Sequence, residues 1–339
     1  MCRPHFIQQA RFLLVNNDKT MQPSTSHSLN AIANSSEKTP TSKIYRMNNI
    51  SWRHHYIPQF YLKGFLDTEG KFKIYDVESQ SFVKEGKDFS PESYFFEKHG
   101  NSLFNQEGFD DFIETKYYGQ IDDRISKIFE QIRNATSDTR FGISEKEMPD
   151  LQFFASSMFW RLPTNYGQIR YLLKTNNMDE LGLLLKSTKT GETVKNSEFE
   201  EKLKRDPNFF KMFKFILPYI TYGRLFDCRT PLTIQTFPEQ LPALCSDNPI
   251  IFENSIRPDL YYDDFIFPLT HTLVLLRGET INNILTTIKI DIDLILLKQA
   301  KKYVSCTDQK YIMMLEKYYD DNYSSLDELK TSVFKKLIG

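Results

Sequence analysis

Between Asn105 and Arg133 the apolar residues Phe109, Phe112, Ile113, Ile121, Ile125, Ile128, Phe129 and Ile132 fall mostly three or four apart. That period lines one stripe of an α-helix. Beyond about Pro231 it disappears. "LTIQTF", "ALCSD", "PIIFEN", "DFIFPL" and "TLVLLRG" are short β-branched or aromatic runs between Pro, Asn and Asp clusters, the texture of a meandering sheet. Helical texture followed by strand texture, without alternation and without an internal repeat, predicts an α+β fold: a mostly helical middle region packed against a small mixed or antiparallel β-sheet.

Other elements follow from local signals. "KFKIYDVESQSFVKEG" alternates Phe72, Ile74 and Phe82 with polar residues around "ESQS", which predicts a β-hairpin. A helix is expected from Ser144 to about Trp160, opened by a capping box of Ser144 and Glu147 and ended by Pro163. "NSEFEEKLKRDPNFFKMFKFILPYITY" continues the helical middle, punctuated by Pro207 and Pro218. Residues Asp291 to Lys302 and two later segments predict closing helices. Residues 1–46 are rich in Ser, Thr, Asn and Lys with little apolar periodicity, so they read as a disordered leader or a start placed upstream of Met47. Residues 47–339 then form a single α+β domain.

Charge narrows the partners. The leader carries Arg3, Arg11, Lys19, Lys38, Lys43 and Arg46 against Asp18 and Glu37, while the whole chain sums to −1. The rest is therefore acidic, and no broad basic surface is expected for duplex nucleic acid. A small molecule or a local stretch of nucleic acid is the ligand class left open. Cys2, Cys228, Cys245 and Cys306 fit no metal spacing, which predicts buried free thiols and a cytoplasmic location. No apolar run reaches the ~18 residues of a membrane span.

Three polar clusters stand out. In "SWRHHYIPQFYLKGF", Ser51 to Phe65, Pro58 suits a helix's first turn because its missing N–H would be unpaired there anyway. Ile57, Phe60, Tyr61 and Phe65 then share an apolar stripe that ends at Gly64. His54 and His55 lie just outside that helix N-terminus, where partial positive charge disfavours imidazolium. In an extended segment they point to opposite sides, so one can serve a site while the other packs inward. The second cluster, "CSDNPII", places Asp247 and Asn248 at a strand's C-terminal lip. That is a common place for functional groups, and equally for an Asx-turn that only ends the strand. In the third, Arg161 ends an apolar helix, where it can pair with a buried carboxylate or clamp a phosphate. Phosphate-loop, nucleophile-elbow, HExxH and dinucleotide signatures are absent.

Taken together, these residues resemble the bacterial domain of unknown function 4238 family. Its opening motif is matched by His54, His55, Tyr56, Pro58, Gln59, Phe60, Tyr61, Leu62 and Phe65. The resemblance extends through "FIETKYYGQI" with Glu114, Arg161 before Pro163, "SDNP", "FPLT" and "QAKKYVSC", from about residue 50 to about 310. It implies that His54, His55, Gln59, Glu114, Arg161, Asp247 and Asn248 are the polar positions held in common.

Two functional classes follow. The favoured one is a hydrolase of phosphate esters in a nucleotide or nucleic acid. His54 or His55 acts as base, Asp247 orients it or binds a cation, and Arg161 neutralises phosphoryl charge. Gln59 and Asn248 contact substrate, and Asp247 with Glu114 are the ligands for a divalent metal. The alternative is a noncatalytic interaction or regulatory protein whose polar residues form a buried structural network.

Overall fold

The computed structural model describes two short leader strands, Leu13–Leu14 and Pro23–Ser24. It also describes residues 51–134 except 106–107, then 147–181, 183, 191–193, 197–222, 232–237, 240–253, 257–278 and 286–337. The two leader strands pair antiparallel. The expected disorder of 1–46 otherwise falls outside the described residues, as does the Ser144 cap.

Alternating side chains explain the core. Strands β1 (Arg53–His55), β2 (Lys73–Asp76), β3 (Ser81–Phe82) and β4 (Phe96–Lys98) come from the first hundred residues. The predicted hairpin forms, with Tyr75 opposite Phe82. Between β1 and β2, helix α1 (Gln59–Leu62) opens after Pro58, whose carbonyl accepts from the amides of Tyr61 and Leu62. A short hairpin, β5 (Leu103–Asn105) and β6 (Gly108–Asp110), follows.

This hairpin corrects the long helix expected from Asn105. Gly108 takes φ +121°, a conformation that breaks a helix, and Asp110 Oδ1 caps the amide of Phe112. A π-type turn over Ile113–Tyr118 leads into α2 (Gly119–Asn134). The periodic stripe becomes buried at Ile113 and stays so in α2 through Ile121, Ile125, Ile128, Phe129 and Ile132. Phe109, ahead of it, is exposed.

Helices α3 (Met148–Arg161), α4 (Tyr166–Thr175), α5 (Ser197–Lys204) and α6 (Pro207–Tyr222) make the helical middle. Pro207 opens α6, but Pro218 lies inside it instead of ending it.

The later strands are β7 (Leu232–Thr236), β8 (Leu244–Ser246), β9 (Ile251–Phe252), β10 (Phe265–Pro268) and β11 (Leu273–Arg277). Helix α7 (Thr286–Gln299), β12 (Tyr303–Cys306), α8 (Gln309–Asn322) and α9 (Leu326–Leu337) close the chain. These strands do not meander through one sheet. One antiparallel sheet has the order β9-β10-β11-β7, and β8 leaves for a second with the order β8-β12-β2-β3. The architecture is α+β.

Both faces of the first sheet are covered. Phe265, Phe267, Leu273 and Leu275 face the helical middle, while Ile251, Ile266, Val274 and Leu276 face α7, α8 and α9. Burial on two sides is why "DFIFPL" and "TLVLLRG" read as continuous apolar runs without alternation. Among the described residues no helix is long and apolar enough to cross a membrane.

Helix α1 plugs the helical core. Tyr61 is fully buried, stacks on Phe267 with centroids 5.5 Å apart, and donates its hydroxyl to the Pro268 carbonyl at 2.7 Å. Half-buried Phe60 meets Phe129 and Phe154. Gly64 allows close approach, because a Cβ there would come within 3.0 Å of Thr270 and 3.2 Å of the Leu269 carbonyl.

Candidate functional site

The two histidines are separated by the pleat. Strand β1 pairs with β4 in the register Arg53–Lys98, His54–Glu97 and His55–Phe96, so consecutive side chains leave on opposite faces. The His54 ring is buried. Its Nε2–H donates to the Ser51 carbonyl at 2.7 Å, and Nδ1 accepts the Asn101 amide at 2.9 Å. Those two bonds select one neutral tautomer. Asn101 in turn donates to Glu114 Oε2 at 2.8 Å.

His55 is half-buried, and its Nε2 has no hydrogen-bond partner among the described residues. Its backbone carbonyl accepts from Arg161 Nη2 at 3.0 Å. Arg161, 2% exposed, also donates to Asp122 at 2.9 and 3.4 Å and lies with its guanidinium carbon 4.0 Å from the centre of the Tyr118 ring. Arg161 Nε and the Tyr118 hydroxyl are likewise buried without partners. Three partnerless polar atoms thus belong to residues linked through one arginine.

A second row stands beside them. Tyr166 donates to Glu97 Oε2 at 2.5 Å and accepts from Lys214 Nζ at 2.9 Å. Burial pushes the Lys214 ammonium down to about 8, helped by Arg161 and Lys211 and opposed by Glu97 and Glu114. Asp122, Glu97, Tyr118, Tyr166 and Lys214 were not anticipated from sequence. Lys214 carries a usable signal, a charge flanked by Phe213 and Phe215 on a largely apolar helix. The others look like ordinary surface residues of their segments.

Two of the remaining sequence candidates are held largely by backbone groups. Asp247 Oδ1 accepts the Lys301 amide at 2.9 Å, and Oδ2 accepts those of Lys302 and Tyr303 at 2.7 and 3.0 Å. Its carboxylate therefore shapes the entry to β12. Asn248 donates to the Gln299 carbonyl at 3.3 Å, while Gln299 returns a bond to the Asn248 carbonyl at 2.5 Å. This pair ties the turn to the end of α7. Gln59 is half-buried at the start of α1.

Asp247 and Glu114, the expected metal pair, each hold partners within the chain. Asp247 is committed to three backbone amides and Glu114 to Asn101, and among the described residues no three metal-ligating side chains converge.

Burial above all holds both imidazoles below the ordinary histidine range; Glu114 opposes it at each, and the Arg161 cation adds to it at His55. For His54 the geometry agrees, since protonating Nδ1 would cost the bond from Asn101. Both rings stay neutral in the folded chain at pH values where unfolded histidines take up protons. Stability is therefore full above about 6.5 and falls as pH drops below it. Melting temperature should decline on acidification from about pH 7 to about pH 5.5, and less steeply in His54→Asn. Parallel curves for the two proteins would show that His54 is free to protonate in the fold.

An α+β protein with a His-His strand set against a buried Arg, Tyr and Lys cluster is the class that this fold and site define. Residues 53–288 match the family described as "Protein of unknown function (DUF4238)", and the chain belongs to that family. The matched span contains the whole cluster and ends before "QAKKYVSC". No curated protein and no solved structure matches the chain.

Proposed function

We propose that the cluster of His55, Tyr118, Arg161, Tyr166 and Lys214 is the active site of a hydrolase acting on phosphate esters of a nucleotide or nucleic acid. One observation carries this reading: His55 Nε2, Tyr118 Oη and Arg161 Nε are buried without hydrogen-bond partners among the described residues, on residues that Arg161 joins through the His55 carbonyl and the Tyr118 ring. Native proteins pair such groups unless a ligand or water completes them.

Each residue's chemistry suits a role. Neutral His55, with Nε2 free to accept, is the general base for an attacking water. The Arg161 Nε–H and Tyr118 hydroxyl are donors for a phosphoryl oxygen, and Lys214 adds positive charge. Tyr166, held between Lys214 and Glu97, can pass a proton to a leaving oxygen. His54 positions the strand through Ser51 and Asn101. Because Glu97, Glu114 and Asp122 each hold a named partner, no step is assigned to a metal. Cys245 and Cys306 are buried free thiols, which supports the reducing cytoplasm inferred from sequence.

The noncatalytic reading has its own support, since His54, Asp247 and Asn248 are saturated by backbone groups. Turnover separates the two. The wild-type chain should hydrolyse p-nitrophenyl phosphate, bis(p-nitrophenyl) phosphate or a single-stranded oligonucleotide. His55→Asn should lower kcat/KM by about 100-fold or more, with an unchanged melting temperature. No turnover of any of the three substrates hands the cluster to the structural reading.

A further inference from the structure

A cavity of about 450 Å³ opens between α3, α4 and α6 and the loop preceding β10. Its volume lies within the range that takes a small organic ligand. None of the polar-cluster residues lines it. The same helices serve both places: Trp160 lines the cavity while Arg161, the next residue, enters the cluster.

The lining has a consistent chemistry. Phe159 and Trp160 pack edge to face at 4.9 Å and supply a buried aromatic wall. Tyr171, 38% exposed, also lines the cavity, with the exposed Arg257 guanidinium 3.7 Å from its ring centre. A stacked guanidinium and phenol form a flat, π-rich surface of the kind on which bases stack. Polar groups interrupt the apolar walls: Gln168, Asn176, Glu180 and Asp259 also line the space. Gln168 donates to the Pro258 carbonyl at 3.4 Å.

We propose that this cavity binds a nucleobase, presented as a nucleoside or as the base of a nucleotide. An aliphatic chain would fill the volume but set hydrocarbon against Gln168, Asn176, Glu180 and Asp259, which removes water from polar groups even where each keeps a bond within the chain. A free sugar would meet those groups but gain little from Trp160 and the Tyr171–Arg257 stack. A base has both parts, a π-face for the aromatic wall and N–H and C=O edges for Gln168, Asn176 and the carboxylates. The assignment stands whether or not the polar cluster is catalytic.

The chain contains two tryptophans, so Trp52→Phe leaves Trp160 as the sole indole reporter, inside the cavity. Adenosine, guanosine, uridine and cytidine, all without phosphate, are titrated while Trp160 emission is followed. At least one should give a saturable change. Its affinity should fall about tenfold or more in Tyr171→Ala and in Arg257→Ala, the loss expected for one stacking contact. Both positions are exposed, and unchanged melting temperatures confirm that the variants fold. No saturable response to any of the four nucleosides overturns the proposal. So do affinities in both variants equal to that of the parent protein, and so does a response to dodecanoate with none to the nucleosides. Ribose should give no response, and a ribose response equal to that of the nucleosides also overturns it.

Discussion

Arg161→Ala is expected to lower the free energy of unfolding by about 3–5 kcal/mol, the usual cost of removing one partner from a buried ion pair. Three consequences act together. Asp122, with a side chain 25% exposed, loses its bidentate partner and is left as a carboxylate that burial already disfavours. The His55 carbonyl loses the donor that ties β1 to the end of α3. The Tyr118 ring loses the cation on its face. Because Asp122 retains some contact with water, the loss should fall in the lower half of that range. Arg161→Lys should recover only part of it, since one ammonium cannot copy the planar fork that reaches two carboxylate oxygens and a carbonyl. Urea unfolding of the three proteins measures the difference, and a loss below about 1 kcal/mol for Arg161→Ala would show that the pair is a solvated contact.

Tyr61→Ala should be about as damaging, at roughly 3–5 kcal/mol. The ring is fully buried and meets Phe65, Phe129, Phe154 and Phe267, so truncation opens a cavity where α1, α2, α3 and β10 come together. The surrounding aromatics are themselves fixed by neighbours and cannot easily collapse into the space. Tyr61→Phe isolates the hydroxyl. It retains the ring but leaves the buried Pro268 carbonyl without its donor, and should cost about 1–3 kcal/mol. Equal midpoints for Tyr61→Phe and wild type would mean that another donor satisfies that carbonyl. A Tyr61→Ala loss no larger than that of Tyr61→Phe would contradict the packing argument itself.

Local order was legible where a short-range pattern expresses it. The spacing from Ile121 to Ile132 became the buried stripe of α2, "ESQ" of "ESQS" lies in the turn between β2 and β3, and Pro58 marked the start of α1. Where reading failed, a nearby residue had changed the backbone. Phe109 and Phe112 fit the helical period, yet Gly108 and the Asp110 cap put one on a strand and the other at a helix entry. The "SDNP" turn was recognisable as a turn, but nothing local showed that Asp247 would be consumed by the amides of residues 301–303.

By itself, then, the sequence determined helix stripes, turn positions, the α+β class and membership of the family through its opening motif. Each depends on neighbours a few residues apart, and steric and periodic constraints act over that range. Tertiary structure alone decided that β8 leaves its neighbours to pair with β12, that Arg161 meets Asp122 39 positions away, and that Lys214 meets Tyr166 at a separation of 48. Such partners are chosen by the requirement that buried polar groups find one another after the apolar faces have packed. Lys214 shows the division: its place between two phenylalanines is visible in the sequence, but only the packed fold supplied the Tyr166 hydroxyl that makes the position tolerable.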